Sequence, residues 1–173
     1  MGVLVDASAN MAGKCYLYNM KKIVFVCHGN ICRSPMAEFI MKKLVKEAKM
    51  EKEFDITSMA VSGEEWGNPI YPPAKAIMRE HGIPFTEHRA NKITPAEFAA
   101  ADLIIIMDES NRRLLRRIVG EAADSPKVQL MMSYAGQHRD VADPWYTEDF
   151  ETTYRDILTG CTALLAIMQQ PII

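Results

Sequence analysis

The chain alternates between short unbroken apolar runs and longer segments whose apolar residues recur every three or four positions. Residues 23–26, Ile-Val-Phe-Val, run straight into Cys27, which predicts a buried strand. A polar turn follows, and Ser34-Pro35 opens a helical pattern over residues 35–49 with Met36, Phe39, Ile40, Leu44 and Val45 on one side and lysines on the other. Residues 54–61 read as a second strand. Residues 62–73 read as a loop, broken by Gly63, Gly67, Pro69, Pro72 and Pro73. A helix is expected over 74–81, closed by Gly82, and a connector containing His88 over 83–91. Thr94-Pro95-Ala96-Glu97 is a capping signal for a short helix. The run 103–107 has the continuous apolar character of a central parallel strand. Asp108 then begins an arginine-rich helix ending at Gly120. A last strand is expected over 127–132, a long loop over 133–147 and a final helix over 148–168. That helix would turn Phe150, Tyr154, Ile157, Leu158, Cys161, Leu164, Leu165 and Met168 to the core. Strand and helix in alternation imply an α/β fold with a parallel sheet.

A chain of 173 residues predicts one domain, and 49% hydrophobic with 24% charged residues is an ordinary globular composition. The net charge of −2 argues against nucleic acid as a partner. No stretch reaches the ~18–20 apolar residues of a membrane span. The four cysteines, Cys15, Cys27, Cys32 and Cys161, show neither a zinc spacing nor a secreted disulfide framework. Thiols kept free for chemistry suit a reducing, cytoplasmic compartment. Residues 1–19 precede what reads as the natural start at Met20 and are expected to be an extension, a tag or an upstream start. They lack the pattern of a signal peptide, and Asp6 stands where a myristoylation signal wants Ser or Thr. The domain is expected to occupy 20–173.

The chemistry concentrates at residues 27–35. A strand feeding a helix through a tight turn points backbone N–H groups and the positive end of a helix dipole into one small space, where an anion belongs. Such surroundings, with a guanidinium nearby, favour the thiolate of a cysteine, which is its nucleophilic form. Cys27 stands at that edge, and Arg33 offers a planar fork matching two phosphate oxygens. Gly29 and Asn30 are residue types that tolerate positive φ, so the loop can curl its amides inward. Ser34 is placed to donate to the Cys27 sulfur, and Pro35 fits the first helical turn.

The string CHGNICRS has the form Cys-x5-Arg-Ser of the phosphate loop of cysteine-dependent phosphatases. The fuller VCHGNICRSPMAE resembles the low-molecular-weight protein tyrosine phosphatases. The resemblance spans about residues 20–168. It implies a three-layer α/β fold with a central four-stranded parallel sheet, helices on both faces and the phosphate loop between the first strand and the first helix. It implies hydrolysis of phosphotyrosine in proteins or peptides through a phosphocysteine intermediate, with no metal or other cofactor, by a monomer or weak dimer. Cys27 would be the nucleophile, and Arg33 with the loop residues His28, Gly29, Asn30, Ile31, Cys32 and Ser34 would bind the phosphate or another oxyanion. Asp143, in Asp-Pro-Trp-Tyr, matches the family's general acid and base; Asp140 lies outside that motif. Ser58 and His88 match places that steady the loop asparagine, with Ser62 as a supporting hydroxyl. Cys32 matches a cysteine that can trap the oxidised nucleophile as a disulfide.

The pocket residues depart from the family pattern in two places. His28 stands where an apolar residue is common. The position two after Ser62, often aromatic, is Glu64, with Trp66 two further on. Trp145 and Tyr146 would flank a flat aromatic leaving group. Relatives that hydrolyse phosphoarginine place Thr where this chain has Ile31, which favours phosphotyrosine. Arsenate reduction on the same fold needs two further redox cysteines mid-chain, and none lies between Cys32 and Cys161. Arg112, Arg113, Arg116 and Arg117 read as the solvated face of a helix.

Overall fold

A computed structural model describes residues 20–170. The expectations for residues 1–19, Cys15 among them, lie outside the described residues. Four strands, β1 (Lys21–Cys27), β2 (Phe54–Ala60), β3 (Leu103–Ile106) and β4 (Val128–Leu130), form one sheet in the order β2-β1-β3-β4. Every pairing is parallel, with Ile23 opposite both Ile56 and Leu103. The unbroken apolar run of β1 is needed because both of its faces are covered. Ile23, Phe25 and Cys27 join the core under helices α1 (Arg33–Glu47), α2 (Pro72–Glu80) and α6 (Phe150–Met168). Val24 and Val26 join the core under α3 (Pro95–Ala100) and α4 (Glu109–Val119). The three-layer α/β expectation holds.

Local signals set most boundaries. Thr94 accepts from the Glu97 amide at 3.2 Å while Glu97 accepts from the Thr94 amide at 2.9 Å, so the capping box forms. Gly82 and Gly120 take positive φ of 65° and 66° just past their helices, a conformation that costs a side-chain-bearing residue stability. Three expectations need correction. The last strand is three residues long, not six, because Met131–Ala135 leaves the sheet as a 3-10 turn that buries Met131 and Met132 completely. The loop 133–147 is not wholly irregular: Asp143 caps a one-turn helix, α5 (Pro144–Thr147). The first helix is two-sided only beyond Met41, since all of residues 33–41 are buried. Among the described residues, no helix is long and apolar enough to cross a membrane.

The final helix also buries Thr153 and Gly160, which its apolar spacing did not single out. A Cβ at Gly160 would collide with the Met131 sulfur and sit 3.1 Å from the Met131 carbonyl oxygen. The helix and the 3-10 turn meet there with no room for a methyl group. Gly160→Ala is therefore expected to lower stability by about 1–3 kcal/mol, although alanine favours a helix interior by about 1 kcal/mol. Urea unfolding with an unchanged m-value checks this.

Candidate active site

In this strand order the chain crosses from β2 over β1 to β3, so the C-terminal ends of β1 and β3 flank a topological switch point, where parallel sheets hold their ligands. Cys27 ends β1 there and is 3% exposed. Residues 28–32 curl from it into α1, with Asn30 in the left-handed region at φ 60°. That curl aims the Asn30 amide at the Cys27 sulfur, 3.2 Å away, and brings the Ser34 hydroxyl to 3.0 Å of it. Two polar groups thus hold the sulfur, an arrangement suited to negative charge. Among the described residues, the amides of Gly29, Ile31 and Cys32 donate to no protein acceptor, so they remain for an anion.

The loop is braced from behind by a buried polar network. Asn30 Nδ2 donates to Ser34 at 2.8 Å and to Ser58 at 3.0 Å, and its Oδ1 accepts from the Asn91 amide at 3.1 Å. Ser58 in turn donates to Glu38 at 2.5 Å. The His88 ring sits 2.9 Å from the Asn30 carbonyl oxygen. Ser58 and His88 thus both reach the loop asparagine, His88 through its backbone. Ser62 does not; its hydroxyl accepts from the Glu64 amide and shapes the neighbouring turn.

Arg33 is 2% exposed and forked between two carboxylates. Nη1 donates to Asp108 at 2.6 Å and to the Val141 carbonyl at 3.0 Å; Nη2 donates to Asp143 at 3.0 Å. Burial works hardest against its charge, but Cys27, Asp143 and Asp108 outweigh it and push the guanidinium above its ordinary value. Asp108 was legible only as a helix start. It also caps α4, accepting from the Asn111 amide at 2.7 Å, and so hands one oxygen to the helix and one to Arg33. Its place directly after a central strand, at the switch point, was the signal available.

The Asp143 loop is tied down at three points. The Val141 amide donates to Met107 at the end of β3 at 2.8 Å, Val141 accepts from Arg33, and Thr153 donates to the Ala142 carbonyl at 3.1 Å. Asp143 Oδ1 accepts from the Trp145 amide at 3.0 Å, leaving Oδ2 on Arg33. Asp140, the other carboxylate of this loop, accepts from the Glu109 amide and so serves the α4 terminus.

These residues surround a cleft of about 180 Å³ lined by Cys27 through Arg33, Glu64, Glu65, Asp143, Trp145 and Tyr146. Trp66 does not line it; it is 66% exposed on the same loop, and Glu65 takes the place at the mouth. Cys27, Cys32 and Cys161 are free thiols. Burial first, then the nearby Cys27 and Asp143 charges, push the thiol of Cys32, the last residue of the loop, far up. Of the four arginines on α4, Arg112 pairs with Glu109 and Arg116 with Asp124.

Residues 22–171 match the family model described as low molecular weight phosphotyrosine protein phosphatase. A human low molecular weight phosphotyrosine protein phosphatase is 41% identical over 149 residues, covering 84% of this chain and 94% of the human one. The crystal structure of YfkJ from Bacillus subtilis superposes with a TM-score of 0.82 at 36% identity, over 87% of this chain and 95% of that one. The crystal structure of a Drosophila arginine phosphatase gives a TM-score of 0.77 at 28% identity, over 87% and 99% of the two chains.

Proposed function

Since the chain belongs to the low molecular weight phosphotyrosine protein phosphatase family, we propose that Cys27, Arg33 and Asp143 are the groups with which it hydrolyses phosphotyrosine in proteins. It is a phosphatase of the protein-tyrosine class. The observation that carries the residue assignment is the convergence of three elements on one cleft: the sulfur at the end of β1, the guanidinium opening α1 and the carboxylate capping α5.

In this reading the Cys27 thiolate attacks phosphorus in line, forming a sulfur–phosphorus bond as the phosphorus–oxygen bond to tyrosine breaks. Arg33 and the free loop amides take the equatorial oxygens and hold the charge that develops there. The Nη2 donor now spent on Asp143 passes to a phosphoryl oxygen. Asp143 Oδ2 is thereby released to carry the proton that the departing tyrosine oxygen takes up. Water then attacks the phosphocysteine, with Asp143 as the base, and inorganic phosphate leaves. Asp108 stays on Nη1 and keeps the fork oriented throughout. Ile31, 8% exposed and packed with Ala90, Tyr71 and Phe150, gives the pocket an apolar wall suited to an aryl group. Two buried free thiols, Cys27 and Cys32, at the two ends of the phosphate loop fit a reducing, cytoplasmic setting.

Hydrolysis of p-nitrophenyl phosphate in excess EDTA tests the reading. Full turnover is expected, as is turnover of phosphotyrosine peptides in large excess over phosphoarginine peptides. Loss of activity in the chelator, or a preference for phosphoarginine, contradicts it.

A further inference from the structure

The mouth of the cleft carries two carboxylates, Glu64 and Glu65, beside the loop that would receive the phosphate in the reading above. Both are held in place. Glu64 Oε2 lies 3.1 Å from the His28 ring nitrogen Nε2. Glu65 lies along the phosphate loop: a Cβ at Gly29 would come within 3.0 Å of its Cγ, and its Oε2 accepts from Asn68 Nδ2 at 2.6 Å. The loop that bears them is fastened to the site by Ser62 N–His28 O at 3.0 Å and Gly67 N–Ala90 O at 2.8 Å. Trp145 and Tyr146, both exposed and uncharged, also line the cleft. The rim therefore carries two carboxylates, with His28 beside Glu64, Arg89 on the Gly67 carbonyl and Lys92 near Gly63 as the basic groups about that loop, while the floor holds the buried Arg33.

Fixed carboxylates at the entrance repel a bare phosphate dianion and attract a substrate that brings cations with it. We propose that this rim makes the enzyme select phosphotyrosine flanked by lysine or arginine, with Glu64 as the specificity-determining carboxylate and His28 as the group that positions it. The inference rests on the phosphotyrosine reading above. A basic neighbour of the phosphotyrosine pairs with Glu64 and Glu65 as the aryl phosphate enters, whereas an acidic neighbour meets like charge. Glu64 is 73% exposed at its side chain, so each contact is screened and the selection is graded.

Three phosphotyrosine peptides of equal length test it, with lysine, alanine or glutamate on both sides of the phosphotyrosine. At low ionic strength kcat/KM for the lysine peptide is expected to exceed that for the glutamate peptide by about tenfold, and added salt should shrink the ratio. Glu64→Gln is expected to lower the ratio by about threefold, and Glu64→Lys to bring it to one or below. The ratio is taken within each variant, so any loss common to all peptides cancels. Equal kcat/KM for the three peptides, or a ratio unchanged in both Glu64 variants, overturns the proposal while turnover of the alanine peptide leaves the phosphatase reading standing. No turnover of any peptide removes both.

Discussion

Cys27→Ser is expected to lower kcat for phosphotyrosine peptides by at least ~10^4-fold while leaving affinity for inorganic phosphate near that of the wild type. The sulfur is nearly inaccessible and held by the Asn30 amide and the Ser34 hydroxyl. A serine oxygen fits the same cradle, so the anion site should survive. What is lost is the sulfur nucleophile itself, because an alcohol has no base beside it here and attacks as a far poorer nucleophile. Pre-steady-state kinetics with isothermal titration by phosphate separates the two effects. Retained turnover would place the nucleophile elsewhere; loss of phosphate binding as well would mean that the loop itself had collapsed.

The second large effect is expected at Asp143. Asp143→Ala should reduce kcat by ~10^2–10^4-fold on esters with poor leaving groups, and much less on p-nitrophenyl phosphate, whose leaving group departs with little protonation. The residue also has structural ties, since it caps α5 through the Trp145 amide and pairs with Arg33. Asp143→Asn separates the roles. Asparagine is an equally good N-cap but cannot deliver the proton, so both variants should lose comparable activity while only alanine loses the cap. Recovery of most activity in the asparagine variant would make Asp143 a positioning residue and remove it from proton transfer. The dependence of kcat on leaving-group acidity, flat in the wild type and steep in the variants, reads the same point independently.

The residues that make the cleft were readable because they lie close together in the chain or sit in a dense motif. Cys27 to Ser34 span one strand end and one helix start, so their chemistry constrains each other locally. Asp143 is legible because Asp-Pro-Trp-Tyr matches the place of the family's acid; the Asp-Pro pair by itself reads only as a turn. Less legible were residues whose role exists only after the chain crosses itself. Asp108 reads as a helix cap and is one, but its second oxygen meets Arg33 from 75 positions away. Glu38 lies where the first helix is buried all round, and its carboxylate closes the Ser58 network. Thr153 interrupts an apolar stripe and is buried because its hydroxyl holds the Asp143 loop. Trp66 was expected at the pocket because aromatics serve aryl substrates. The turn set by Gly63 and Ser62 brings Glu64 to the cleft as expected, and Glu65 rather than Trp66 beside it. Met131 and Met132 extend the apolar run of β4, and no periodicity distinguishes a buried strand from a buried turn over so few residues.

The proposed reaction turns on a covalent bond between phosphorus and the Cys27 sulfur. Mixing the Asp143→Ala enzyme with p-nitrophenyl phosphate, quenching with denaturant before the first turnover is complete, and locating the phosphoryl group by peptide mass spectrometry tests it directly. The mechanism predicts stoichiometric phosphorylation of the peptide bearing Cys27, absent from Cys27→Ser. A phosphoryl group found on His28 or Ser34, or a burst of nitrophenol with no modified residue, contradicts it.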